Sequence, residues 1–351
     1  MNLAETTAAV TGPDERAAAA ARARWDGLAK PLGSLGALED AVVRIAAHTG
    51  KAEVTLRQRS LLVFCADNGV VAQGVSQSGA DVTAAVAGAL GQGVSTVNFM
   101  ARAADCAVIP VDVGILNGGS LPGVLDRRVR NGTGDISLGP AMTRDECVRA
   151  VEAGIELVRE RRASGDELIL LGEMGIGNTT TTCAVASVLL NEPPETLAGR
   201  GAGLSSAGLE RKIAAIRRAL AVNCPDPADP IDVLGKVGGL DLAALCGAVL
   251  GGAAYGVPVL LDGVITNAAA LCAVRLCPAA AKAVLASHVS AEPAARRMLD
   301  ALGLPPLICA GLRLGEGSGA VAALGLLDQA LAVYNSGHTF GRLGIDAYTP
   351  Q

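Results

Sequence analysis

Short apolar runs that end in polar and glycine residues recur along the chain, and stretches with helical spacing lie between them. Helical patterns cover about 13–28 and 35–48. SLLVFCADNG (60–69) reads as a strand, 80–102 as one helix, and CAVIPVDVG (106–114) as a second strand. Residues 115–142 are glycine-rich and irregular, and 144–162 is amphipathic helix. A third strand at 168–171 runs into GEMGIGNTTTT (172–182). Helices are predicted near 180–190, 206–222 and 240–251. A fourth strand at 257–261 ends in DGVITN and a fifth at 283–286 in SHVSAE, before helices at about 292–302 and 318–334. This alternation predicts an α/β fold with a doubly wound parallel sheet. In such sheets ligands bind at the carboxyl ends of the strands. ADNG, DVG, GEMGIGN, DGVITN and SHVSAE are therefore expected to converge on one cleft, although any one of them could be an ordinary strand-to-helix turn.

Composition narrows the class. Half of the 351 residues are apolar and only 2% are aromatic, so Ala, Gly, Val and Leu must pack the core. The net charge of −5 and the absence of a long basic run argue against nucleic acid; Arg127–Arg130 reads as solvated surface. Nine cysteines stand as singletons without C-x-x-C, and the N-terminus lacks a signal-peptide pattern, which together fit reduced thiols in the cytoplasm. Residues 242–261 carry no charge and are long enough to span a bilayer. Internal glycines and Pro258, with Asp241 and Asp262 at the ends, favour a buried helix, turn and strand instead. With three histidines in the chain, a histidine-rich metal site is not expected.

The candidate chemistry centres on glycine-rich turns. In GEMGIGN, Gly175 and Gly177 allow close approach of backbone amides to an anion, and Asn178 or a following threonine can cap the next helix. One phosphate fits; so does a capped helix start with no ligand. GRGAGLSS (199–206) offers Gly201 and Gly203, with Arg200 and Lys212 as cations, or else a loop with a surface lysine. LRLGEGSGA (312–320) matches G-x-G-x-x-A, but Glu316 would oppose a pyrophosphate, and no acidic residue lies about 20 positions on. A glutamate between two glycines is instead a candidate general base, raised in pKa by partial burial, or a helix-start carboxylate. There is no G-x-S-x-G and no nucleophilic triad. Phosphate cradles, single glutamates and no metal motif suit group transfer from a nucleoside monophosphate.

KPLGSLGALE (30–39), CADNGVVAQGVS (65–76), GEMGIGNTTT (172–181), KVGGLDL (236–242), PVLLDG (258–263), SHVSAE (287–292) and LRLGEGSGA resemble, in order, the nicotinate-nucleotide–dimethylbenzimidazole phosphoribosyltransferase family. The resemblance implies transfer of 5-phosphoribosyl from nicotinate mononucleotide to a cobamide lower-ligand base, with no cofactor and no metal. It implies a Rossmann-like large domain (55–290), a small helical domain from both termini (1–54 and 291–351), and a dimer. It makes Glu316 the catalytic glutamate and Glu173 a second active-site glutamate facing the ribose as a carboxylate. Gly175, Gly201, Lys212 and Ser290 would hold phosphate and ribose, with Gly177, Asn178 and Gly203 beside them. Asp262, Gly263 and Leu314 would line the neighbouring pocket.

Some residues depart from the family's pattern. ADNG replaces the ADHG of many relatives. Where benzimidazole users tend to carry Ser-Pro or Tyr-Pro and then glutamine, this chain has Ser78-Gly79 and Val86, both expected at the acceptor. SAEPAAR (290–296) lacks a usual glycine. The acceptor could be a benzimidazole, a phenol or a purine. A heterodimer with a paralogue, or a non-catalytic ribotide-binding partner subunit, are further readings.

Overall fold

The structure, a computed structural model, describes residues 1–348. The apolar runs form one six-stranded sheet in which every neighbouring pair is parallel. The strands are β1 (Arg59–Ala66), β2 (Ala107–Gly114), β3 (Leu125–Asp126), β4 (Leu168–Met174), β5 (Val259–Leu261) and β6 (Val284–Ala286). Their order, β3-β2-β1-β4-β5-β6, is that of a Rossmann-like doubly wound sheet. The strand order reverses between β1 and β4, which opens a crevice beyond their carboxyl ends.

Side-chain alternation feeds two apolar cores. Leu62, Phe64, Ile169, Leu171 and Leu261 join one, while Leu61, Val63, Leu168, Leu170 and Leu260 join the other. Helices Arg144–Ala163, Asn178–Leu190, Leu240–Tyr255 and Val264–Leu276 cover the first face. Helices Glu15–Asp26, Ala37–Thr49, Asp81–Gly91 and Ser318–Tyr334 cover the second. Helices from both termini thus pack together, Ala37–Thr49 touching Ser318–Tyr334.

With few aromatics, close packing rests on small residues. Arg144–Ala163 and Leu240–Tyr255 meet backbone to backbone. A Cβ on Gly247 would lie 1.8 Å from the Val151 carbonyl oxygen, and one on Gly154 1.9 Å from that of Ala244. Among the described residues no helix is long and apolar enough to cross a membrane. All nine cysteines are free.

Several elements differ from expectation. The span 80–102 is two helices, Asp81–Gly91 and Thr96–Ala103. Gly93 adopts φ +76°, and Ser95 starts the second helix through a capping box with Asn98. Pro230–Val237 and Val264–Leu276 are helices that the pattern did not reveal. The second is buried on every side over most of its length, so it shows no polar face to read.

Candidate active site

The crevice at the β1/β4 switch is walled by Glu173–Thr179, by 262–266, by His288, Ser290 and Glu292, and by Arg313–Glu316. Three of the five strand-end clusters therefore converge, joined by the LRLGEG turn. The other two do not line it. Asp67 accepts from the Leu116 amide at 2.8 Å, and Asp112 accepts from Gly114 and Ile115 at 2.9 and 2.8 Å and pairs with Arg128. These carboxylates fasten loops. Asn68 lies beneath the crevice, where its Oδ1 accepts from Thr181 Oγ1 at 3.3 Å.

Three consecutive left-handed residues shape the turn that carries Glu316: Gly315 (φ +88°), Glu316 (φ +59°) and Gly317 (φ +84°). For glutamate this conformation is costly. It is held by Asp262, whose carboxylate accepts from the amides of Gly317 (3.2 Å), Gly319 (2.7 Å) and Ala320 (3.3 Å). Asp262, expected at the acceptor, thus also caps the last long helix from another strand. Burial raises its pKa, opposed by His288. On its far side Glu316 meets the helix that begins at Thr96, whose Val97 amide donates to Oε2 at 3.3 Å. A helix N-terminus favours negative charge.

Glu316 is half-buried, as expected, and the carboxyl that the fold buries more deeply is Glu173. Glu173 faces the turn, its Oε1 2.9 Å from where a Cβ on Gly315 would stand. Burial pushes its pKa up to about 8; Asn178 opposes this, while Asp241, Asp262 and Glu316 add to it. Asn178 does not cap its helix. Gly177 occupies the cap position, and the Asn178 side chain donates to Glu173 and, at 3.0 Å, to Asp241 Oδ2.

The far end of the cleft is cationic. Lys212 is 0% exposed, and its Nζ donates to Thr179 Oγ1 at 2.9 Å and to the Gly199 carbonyl at 3.0 Å. Burial lowers its pKa and Glu292 raises it. Lys212 lies under the Gly201 turn rather than in the wall, and the Gly201 amide donates to Glu292 Oε1 at 2.9 Å. Arg200 is in the wall, as are Ser290 and Gly263. Gly203 stands just outside; its carbonyl accepts from Gln77.

At the acceptor end, Leu314 is in the wall and 52% exposed. Ser76 and Gln77 are in the wall, whereas Ser78 and Val86 are not. Val86 is half-buried on an apolar cluster that Met174 also joins. It stands three residues from Thr83, whose Oγ1 accepts from the Ile176 amide at 3.2 Å, so its helix face looks toward the GEMGIGN turn. The sequence reading missed Asp241, Glu292, Arg313 and Gln77. For Asp241 the signal was present in KVGGLDL, a motif with no assigned role.

Comparison with known proteins gives a consistent picture. A family profile described as phosphoribosyltransferase matches residues 10–345. A nicotinate-nucleotide–dimethylbenzimidazole phosphoribosyltransferase from Ruminiclostridium cellulolyticum is 46% identical over 330 residues, 94% of each chain. One of the same name from Desulforudis audaxviator is 43% identical over 347 residues, 98% of each. A solved structure of such an enzyme from Thermus thermophilus superposes with a TM-score of 0.88 at 42% identity, covering 95% of this chain and 99% of that one.

Proposed function

We propose a function from one premise: the chain belongs to the nicotinate-nucleotide–dimethylbenzimidazole phosphoribosyltransferase family. It transfers 5-phosphoribosyl from nicotinate mononucleotide to a lower-ligand base and releases nicotinate. The observation that carries the reading is Lys212. Among the described residues no carboxylate comes within 4.0 Å of this buried ammonium. An unpaired buried charge is costly, and a ligand's phosphate at the Gly201 and Gly175–Gly177 turns would remove that cost. Ser290 and Asn178 would then flank the ribose, with Gly203 supporting the outer turn.

In the reaction the bond from C1 of the ribose to the pyridinium nitrogen breaks, and a bond to the acceptor forms on the opposite face. Glu316 takes the acceptor's proton. Glu173, as the carboxylate, stabilises the positive charge that develops at C1. Nicotinate keeps the bonding pair. Asp262 holds the turn that carries Glu316, and Gly263 and Leu314 offer surface to a flat ring. The test is nicotinate release by the purified chain. Nicotinate mononucleotide should serve as donor, phosphoribosyl pyrophosphate should not, and EDTA should leave the rate unchanged. Strict magnesium dependence would overturn this mechanism.

The acceptor half carries a finer proposal. Val86 stands outside the wall on the helix face turned toward GEMGIGN, where a longer glutamine could reach an azole nitrogen and valine cannot. The missing bond is worth about 1 kcal/mol, roughly fivefold in selectivity. We propose a less polar acceptor pocket that admits phenols or purines beside benzimidazoles. In competition at equal concentration, Val86→Gln should shift turnover toward 5,6-dimethylbenzimidazole over p-cresol. A hundredfold azole preference in the unmodified chain would contradict the idea. The proposal extends to a cytoplasmic enzyme assembled as a homodimer, or as a heterodimer with a paralogue. It divides each chain into a large domain (55–290) and a small helical one (1–54 with 291–351).

A further inference from the structure

KVGGLDL lies behind the cleft, and its aspartate is fully buried. Asp241 sits in the first turn of the helix Leu240–Tyr255. Its Oδ2 accepts from Asn178 Nδ2 at 3.0 Å, and that same nitrogen donates to Glu173. An amide nitrogen has two hydrogens, so Asn178 gives one to each carboxyl. The other oxygen, Oδ1, has no partner, and neither has Nδ2 of Asn68. Both side chains crowd one point: a Cβ on Gly239 would lie 2.4 Å from Asp241 Oδ1 and 2.6 Å from Asn68 Oδ1. The Asn68 amide thus stands near Asp241 Oδ1 without donating to it.

A buried aspartate with no cation beside it is an expensive residue for a core position. Leucine or alanine would suit packing better. What Asp241 provides is direction. Without it Asn178 could turn its oxygen toward Glu173, and the amide would no longer donate to the catalytic carboxyl. We propose that Asp241 is a positioning residue of the transfer reaction, acting through Asn178 to fix the orientation and charge state of Glu173. This rests on the phosphoribosyl-transfer reading of the cleft.

The charged groups that raise the pair's pKa values are carboxyls. Asp262 and Glu316 face Glu173 from two loops, Cys65 adjoins it on β1, and Asp67 faces Asp241. Burial pushes Asp241 up to about 6. Replacing it removes one like neighbour but frees the Asn178 amide, whose donation favours the ionised Glu173 more strongly, so the pH at which Glu173 ionises should rise.

The experiment is steady-state nicotinate release across pH 5–10 for the parent, Asp241→Asn, Gly239→Ala and Asn178→Ala, and for the double variant Asp241→Asn/Asn178→Ala. Asp241→Asn should cut kcat by about tenfold, as loss of a supporting partner does elsewhere, with the nucleotide KM unchanged. The ascending limb of kcat/KM should move to higher pH. In the Asn178→Ala background the same change should cost little more. Gly239→Ala, which presses on Asp241 while keeping every polar group, should reproduce the kcat loss in part and covers the case that Asp241→Asn does not fold. A folded Asp241→Asn or Gly239→Ala enzyme with the parent's kcat and pH limb overturns the inference. So does a kcat loss of equal size with and without Asn178. No nicotinate release by the parent overturns the underlying reading instead.

Discussion

Replacing Glu316 with glutamine should lower kcat by about 10²–10⁴-fold and leave the nucleotide KM within about twofold. That range is what a positioned general base contributes, or roughly 3–5 kcal/mol of barrier. Glutamine keeps the shape of the side chain and can still accept from the Val97 amide, so the turn and its Asp262 cap remain. Only proton acceptance is lost. The turns at Gly175 and Gly201 proposed for the donor, with Lys212 beneath the latter, are separate from the Glu316 turn, which is why binding should hold. A variant with parental turnover would make Glu316 a helix-start carboxylate and nothing more.

Glu173→Gln should lower kcat by about 10²–10³-fold, the usual cost of deleting one electrostatic stabiliser, and should also erase a feature of the pH profile. In the free enzyme burial holds this carboxyl near 8, so most of it is protonated at neutral pH. The proposed mechanism uses the carboxylate. The parent's kcat/KM should therefore rise with pH to a plateau above about 8, while the variant stays flat. Bound nucleotide brings a cationic ring beside Glu173 and favours its ionised form, so the limb in kcat should lie lower than that in kcat/KM. The shift also links pH to stability. A carboxyl whose folded pKa exceeds its ordinary value of 4.5 contributes fully below pH 4.5, and the contribution is lost as pH rises through 8. Glu173→Gln escapes that loss. It should melt higher than the parent at pH 9, with the gap narrowing toward pH 5. A limb that survives in the variant, or a gap that does not change with pH, would remove Glu173 from both roles.

Much of the sheet was legible because its strands are buried on both faces, which leaves uninterrupted apolar runs ending in Asp, Asn or Gly. Glu316 stood out as a charge between two glycines at a helix start, and Glu173 as a carboxylate at the mouth of a glycine-rich turn that ends a strand. Other features were hidden for physical reasons. The helix Val264–Leu276 has no polar face along most of its length, and the helix break at Gly93 turns on one positive φ. The pKa of Glu173 depends on what lies behind β4, which one strand's sequence does not display. Asp241 is 68 residues beyond Glu173 in sequence, and only the fold lays the Asn178 amide between them. Val86 stood out by its departure from a family pattern, yet its distance from the wall could be read only in three dimensions.

The close approaches at Gly154 and Gly247 have a consequence for how the enzyme can evolve as much as for its shape. Where two helices touch through long side chains, a change on one can be absorbed by a new rotamer on the other. Here carbonyls face bare α-carbons, and no rotamer exists to absorb anything. Asp241 stands six positions before Gly247 on the same helix, about 9 Å along its axis. Drift at Gly154, on a helix with no residue in the cleft wall, would shift that rail and re-aim the Asn178 amide. Such lineages should lose stability and turnover together, through a locus that a survey confined to the cleft would pass over as silent.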